Sequence, residues 1–201
     1  MKYFKHFAKQ TIIPLIYLVL MAMTSLSIGA IEGDKLFWLR LLLSVLAFAL
    51  YALVIGAISY KEGQEAMKIR NANDLERMII IRTGENRPLQ TVKEFQPWKG
   101  FMTGIATCVP LLVLLLVHTI LILINPETNA CGAVAGFLYM VYFMIFRSGA
   151  TVAPSPAFYY LLLTAIPVFA LVTGLPYLWG GKKIEAQQER IKEKQRQIYG
   201  E

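Results

Sequence analysis

The fold turns on residues 131–156, CGAVAGFLYMVYFMIFRSGATVAPSP. The first sixteen, Cys131–Phe146, are apolar enough to enter a bilayer. The following run, Arg147 to Pro156, holds Gly149, Pro154 and Pro156 and breaks helices. Sixteen residues of helix reach about 24 Å, short of a hydrocarbon core of roughly 30 Å. Whether this stretch crosses decides between four spans and five, and so whether the two chain ends share one side of the membrane.

Four other apolar blocks are long enough to span: Thr11–Ile31, Leu36–Ser59, Phe101–Ile124 and Ala157–Trp179. The 201 residues are 56% hydrophobic and 16% charged, which excludes a disordered chain and is too apolar for an ordinary soluble domain. A net charge of +7 would suggest nucleic acid in a soluble protein. Here Lys and Arg flank apolar blocks, so the expected partner is a bilayer with anionic headgroups, and no nucleic acid. The first block follows Lys2, Lys5 and Lys9 and is long for a signal-peptide core; it reads as an uncleaved signal anchor.

The distribution of basic residues separates the topologies. With Cys131–Phe146 not crossing, seventeen Lys and Arg face the cytoplasm and three face out. With five spans the split is twelve against eight. The positive-inside rule favours the first. The expected fold is therefore an all-α integral membrane protein of the plasma (inner) membrane, bacterial in character, with both termini cytoplasmic. It has four spanning helices and one short re-entrant or interfacial helix; the alternative is five spanning helices.

The domain organisation follows. Residues 1–59 form an N-terminal transmembrane hairpin joined by the acidic turn Glu32–Lys35, with Pro14 in the first turn of its first span. Residues 60–99 form a cytoplasmic insert. Its first part continues helix two, and Met78–Thr83 and Leu89–Phe95 could pair as a β-hairpin around Gly84-Glu85-Asn86. Residues 100–181 are the C-terminal membrane part: a span, the short outer segment, and a span. After Gly180-Gly181, residues 182–201 form a basic cytoplasmic helical tail in which Ile184, Ile191 and Ile198 recur every seven residues, half of a coiled-coil seam.

Few residues carry chemistry. The spans hold no Asp or Glu, which argues against proton- or sodium-coupled transport through this chain alone. Cys108 and Cys131 have no metal-type spacing with each other or with His6 or His118. No Gly-x-Ser-x-Gly, His-Glu-x-x-His or phosphate-binding glycine loop is present, so neither catalytic residues, metal nor cofactor is expected. The ligand-binding candidates are His118, Arg147, Tyr139 and Tyr142, with Pro110 and Pro167 as kinks that could open a cavity. The plainer readings are packing for His118, lipid- or helix-facing bulk for Tyr139 and Tyr142, and an interfacial anchor for Arg147. Arg40, Trp98, Lys99, Lys182 and Lys183 are the lipid-headgroup candidates, basic or aromatic residues at span ends.

The expected role is a non-catalytic accessory or assembly subunit engaging a protein partner, or a second copy of itself, through the insert and tail. The alternative is a substrate-binding or transport subunit for a neutral, apolar or lipid-like molecule held between helices three and five. A membrane enzyme built on Asp74, Glu76 or Glu85 ranks third.

Overall fold

The structure, a computed structural model, describes residues 2–29, 36–84, 88–147 and 155–199, with side chains from 10 to 28, 36 to 84, 88 to 147 and 155 to 198. The turn Glu32–Lys35, Glu85 and Asn86, and residues 148–154 of the helix-breaking run lie outside the described residues. Among the described residues every regular element is helical: α1 (Lys2–Gly29), α2 (Phe37–Thr83), α3 (Pro97–Thr107), α4 (Val109–Ile124), α5 (Ala130–Leu138), α6 (Met140–Arg147) and α7 (Ala165–Tyr199). Two 3₁₀ stretches, Thr91–Lys93 and Pro156–Thr164, precede α3 and α7. Four helices are long and apolar enough to cross a membrane: Gln10–Ile28, Phe37–Thr83, Pro97–Ile124 and Pro156–Ile198. Their apolar parts are residues 10–28, 37–59, 101–124 and 157–179.

Two of these helices outrun any bilayer. The 47 residues of α2 extend about 70 Å at roughly 1.5 Å per residue. Beyond Ser59 the sequence is rich in Glu, Lys, Arg, Ala and Met, all good helix formers, and the helix stops only at Gly84. Gly84 takes φ +71°, and its N–H closes the last turn on the Ile80 carbonyl at 2.8 Å. The expected strand Met78–Thr83 is thus the end of α2. Three consecutive isoleucines lower helix propensity by only tenths of a kcal/mol each, and the segment meant to pair with them folds elsewhere.

Proline positions explain the breaks. The kink expected at Pro110 appears as a gap between α3 and α4 at Cys108, whose N–H bonds to the Ile105 carbonyl at 2.9 Å in a tightened turn. Pro167 cannot donate to the preceding turn, in keeping with an α-helix that starts at Ala165 after nine residues of 3₁₀. Pro14 lies in the interior of α1, because that helix already begins at Lys2.

The segment 131–146 is two short helices. α5 and α6 meet at Tyr139 with an angle of 108° between them. Ala133 of α5 and Arg147 at the end of α6 line one cavity with Tyr159 and Leu26.

α1 runs antiparallel to α2, and α7 runs parallel to α2 and antiparallel to α3. Gln10 meets Glu62; Gly56, Tyr60 and Gly63 meet Pro176, Gly180 and Tyr177; Gly100 and Gly104 meet Tyr177 and Ala170. The start of α1, the α2 extension and the α7 tail therefore gather at one end of the bundle, and the bent pair packs toward the other. Between them lies an aromatic core in which Phe48, Tyr51, Tyr139 and Tyr142 surround Phe169 with ring centroids 5.5 to 6.1 Å from it.

Candidate functional site: the polar end of the bundle

Past their apolar parts, α2 and α7 continue side by side as a two-helix stalk. Their crossing is close: a Cβ at Gly63 would overlap the Tyr177 carbonyl, and one at Gly180 would overlap the carbonyl of Tyr60. Gly181 lies against the Phe95 ring. The helix therefore runs unbroken through Gly180-Gly181. Glycine in a helix costs about 1 kcal/mol relative to alanine, and here its missing side chain admits a neighbouring backbone. Residues 182–199 form the last part of α7.

The loop from Pro88 to Gln96 is fastened to this stalk by polar contacts. Asn73, buried, accepts from the Gln90 N–H at 3.1 Å and donates to Glu94 Oε2 at 3.4 Å. Arg77 grips Glu94 with both terminal nitrogens, at 3.2 and 3.0 Å, and reaches Asp74 at 2.7 Å. The Phe95 N–H donates to the Ala66 carbonyl at 3.1 Å, and its ring stacks on Tyr177 at 5.2 Å. Lys99, 3% exposed, donates to the carbonyls of Val92 and Glu94 at 2.7 and 2.6 Å. The 60–99 insert is thus built onto α2 and α7, and among the described residues Leu89–Phe95 has no strand to pair with.

Beneath the loop is a cavity of about 290 Å³ lined by Gln10, Glu62, Glu65, Lys93, Lys99 and Tyr177, with Ile13 and Ile69 among its apolar wall. Glu62 stands one turn past the apolar part of α2. Its only hydrogen bond among the described residues comes from Gln10 Nε2, at 3.5 Å. Burial first, and then the neighbouring Glu65 charge, push its carboxyl up to about 7. Burial lowers the Lys99 ammonium from its ordinary value, opposed by the Glu94 carboxylate.

Farther up the stalk a groove of about 410 Å³ runs between the helices. Leu75 and Met78 of α2 and Ile191 of α7 form its floor, and Asn71, Asp74, Gln188, Lys192 and Gln195 its rim. Of the heptad isoleucines, Ile184 is buried against the stalk, while Ile191 is 56% and Ile198 76% exposed. The apolar seam continues past the point where the chain covers it.

The sequence-derived ligand candidates lie in the other half of the bundle and do not converge. His118 is fully buried, and its Nε2 lies 3.1 Å from the Pro156 carbonyl, which can only accept; the proton therefore sits on Nε2. Among the described residues Nδ1 is buried without a hydrogen-bond partner. Tyr159 stands edge-on to His118 and lines, with Arg147, a cavity of about 210 Å³, but no contact joins His118 to Arg147 among the described residues. Tyr139 donates to the Thr107 carbonyl at 2.5 Å, supporting the α3–α4 break. Thr164 gives its only proton to the Leu161 carbonyl, so the 2.8 Å contact with Tyr142 is donated by the tyrosine. Pro110 is half-buried and Pro167 exposed. Between α3 and α7 the expected cavity is filled at Gly104, where a Cβ would meet Phe169 and Ala170, and at Gly174, where one would meet the Phe101 ring.

The headgroup candidates divide. Lys182 and Lys183 are exposed, with Lys183 Nζ 5.8 Å from the centroid of the Tyr60 ring. Trp98 is half exposed and Arg40 half-buried. Lys99 is a correction: it faces inward and closes the loop. Glu62, Gln10 and the Asn73–Arg77–Glu94 cluster were not anticipated. The available signal was that Glu62 is the first acidic residue after a long apolar block, where a carboxylate is costly. No family model, curated protein or solved structure matches this chain.

Proposed function

We propose that this protein is a non-catalytic accessory or assembly subunit of a bacterial inner membrane, whose stalk receives an amphipathic helix from a partner chain. The observation that carries this reading is the open groove floored by Leu75, Met78 and Ile191. An apolar groove between two helices, with heptad-spaced isoleucines continuing beyond it, matches the way helices seat in bundles. Residues 60–99 carry eight basic and six acidic side chains, and residues 182–201 six and four. That excess favours a partner helix with acidic flanks.

The same charges support a cytoplasmic stalk, and the 108° bend between α5 and α6 supports them as a re-entrant pair dipping in from the outer side. Four crossings then return both chain ends to the cytoplasm.

A photo-crosslinking residue at Leu75 in native membranes tests the docking. One companion chain is expected to crosslink, and Ile191→Asp is expected to abolish it. Crosslinks to lipid alone, from protein that extracts as a lone monomer, would refute the reading. The second reading, a subunit for a lipid-like molecule, draws on an apolar groove of about 510 Å³ between Ala49, Leu53, Leu171, Leu175 and Trp179 on the bilayer side of α2 and α7. A single acyl chain fits such a surface, and ordered lipid there would favour it.

A further inference from the structure

We infer that the apolar crease between α2 and α7 binds one anionic phospholipid, with an acyl chain in the crease and the phosphate on Lys182 and Lys183. The inference rests on the groove of the second reading and deepens it by naming the lipid class. Nothing in it depends on the stalk groove.

The shape of the crease comes from small residues. Its floor holds Ala49, Ala52 and Pro176, each half-buried, and its walls are Leu53, Leu171 and Trp179, 69%, 49% and 62% exposed. At Gly56, one turn beyond Ala52, a Cβ would stand 3.3 Å from Pro176, so the helices are nearly in contact there. From Leu171 to Trp179 the crease runs about 12 Å at roughly 1.5 Å per residue. That fits within one leaflet's half of a hydrocarbon core of roughly 30 Å. A partner's spanning helix needs a surface about twice as long, whereas an acyl chain anchored at one interface does not.

A second observation, independent of shape, lies at the end of the crease. Lys182 and Lys183 stand three and four residues past Trp179, on the helix face that carries Leu171, Leu175 and Trp179. Both are exposed, and among the described residues neither forms an ion pair, although Glu185 lies three residues beyond Lys182. Lys183 Nζ lies 5.8 Å from the centroid of the Tyr60 ring, which brings its charge over α2 one turn past Gly56. The two ammonium groups thus cap the apolar crease from both of its helices. The exposed Trp179 adds an indole N–H at the level where aromatic residues meet headgroups. A phosphate satisfies this arrangement. A zwitterionic headgroup brings its own positive charge to the same place, and the lysines repel it. Two basic residues at a membrane surface are worth roughly tenfold or more in affinity for an anionic lipid.

The test uses the full chain, stripped of lipid in detergent, with binding read by native mass spectrometry. Probes are phosphatidylglycerol and phosphatidylcholine of matched acyl chains. Phosphatidylglycerol is expected to bind at least tenfold tighter. Lys182→Gln combined with Lys183→Gln is expected to remove that preference, while Lys194→Gln combined with Arg196→Gln, an equal loss of charge farther along α7, keeps it. Ala52→Leu fills the crease without changing charge and is expected to weaken both lipids, with folding verified by the melting curve. Equal and tight binding of the two lipids would overturn the anionic assignment and leave the second reading standing. Retention of neither lipid would remove both. Equal weakening by the two charge pairs, or unchanged binding by folded Ala52→Leu, would likewise overturn the proposal.

Discussion

Gly63 of α2 lies so close to Tyr177 of α7 that the tyrosine carbonyl occupies the space a side chain at residue 63 would need. The contact sits where both helices leave the apolar part of the bundle, and it sets the angle of the stalk above it. Gly63→Ala must push the helices apart or strain them, and overpacking of this kind costs about 1–3 kcal/mol. Thermal unfolding of the purified protein is expected to shift down by several degrees. A cysteine pair placed across Leu75 and Ile191 is expected to crosslink less efficiently in the variant.

Glu62 makes stability depend on pH. Its folded value, about 7, is above the usual carboxyl range, so the folded protein holds the proton more tightly than the unfolded chain. That contribution is complete below the unfolded value and is lost as pH rises from about 4.5 to 7. The loss is on the order of 3 kcal/mol at most, reduced by partial exposure. The groups facing Glu62 are Gln10 from α1, Glu65 on its own helix, Lys93 and Lys99 from the loop and α3, and Tyr177 from α7. Glu62→Gln is expected to raise the melting temperature at pH 8 and to flatten its change between pH 5 and 7.5. A parallel slope in wild type and variant would sink this assignment.

Lys99 holds the loop by two charge-assisted bonds to backbone carbonyls. Lys99→Met keeps the length of the side chain and leaves both carbonyls unpaired, a loss on the order of 3 kcal/mol. Because the Asn73 and Arg77 contacts remain, the expected consequence is local. Trypsin cleavage at Lys93 accelerates, and the spanning part keeps its melting behaviour. Unchanged cleavage would mean that the Arg77–Glu94 pair alone carries the loop.

What could be read from the chain, and what could not, has a physical division. The four long apolar blocks and the Pro110 break followed from residue type alone, because no protein partner is needed to make a Leu-rich block prefer lipid or a proline interrupt a helix. The continuation of α7 through Gly180-Gly181 could not, since glycine there is explained by the Tyr60 carbonyl and the Phe95 ring, which are distant in sequence. Met78–Thr83 failed as a strand for the same kind of reason. Its supposed partner is held on α2 by Asn73 and Arg77. Lys99 is a basic residue beside an apolar helix with a structural role; its flank beside Trp98 suggested lipid, while the carbonyls it binds lie five and seven residues earlier.

The bent pair α5–α6 yields the sharpest test of topology. Ala133 and Arg147 share a cavity with Tyr159, at the end of the bundle away from the stalk. If the pair re-enters, Asn125 and Arg147 face the same aqueous side, and Gln188 faces the opposite one. In a protein with Cys108 and Cys131 replaced by alanine, a membrane-impermeant thiol reagent applied to intact cells is expected to label Asn125→Cys and Arg147→Cys. Gln188→Cys is expected to react only after permeabilisation. A fifth crossing reverses the last two results, because Arg147 then returns to the cytoplasm and the α7 tail leaves it. Labelling of Gln188→Cys in intact cells would therefore remove both the re-entrant pair and the cytoplasmic docking stalk.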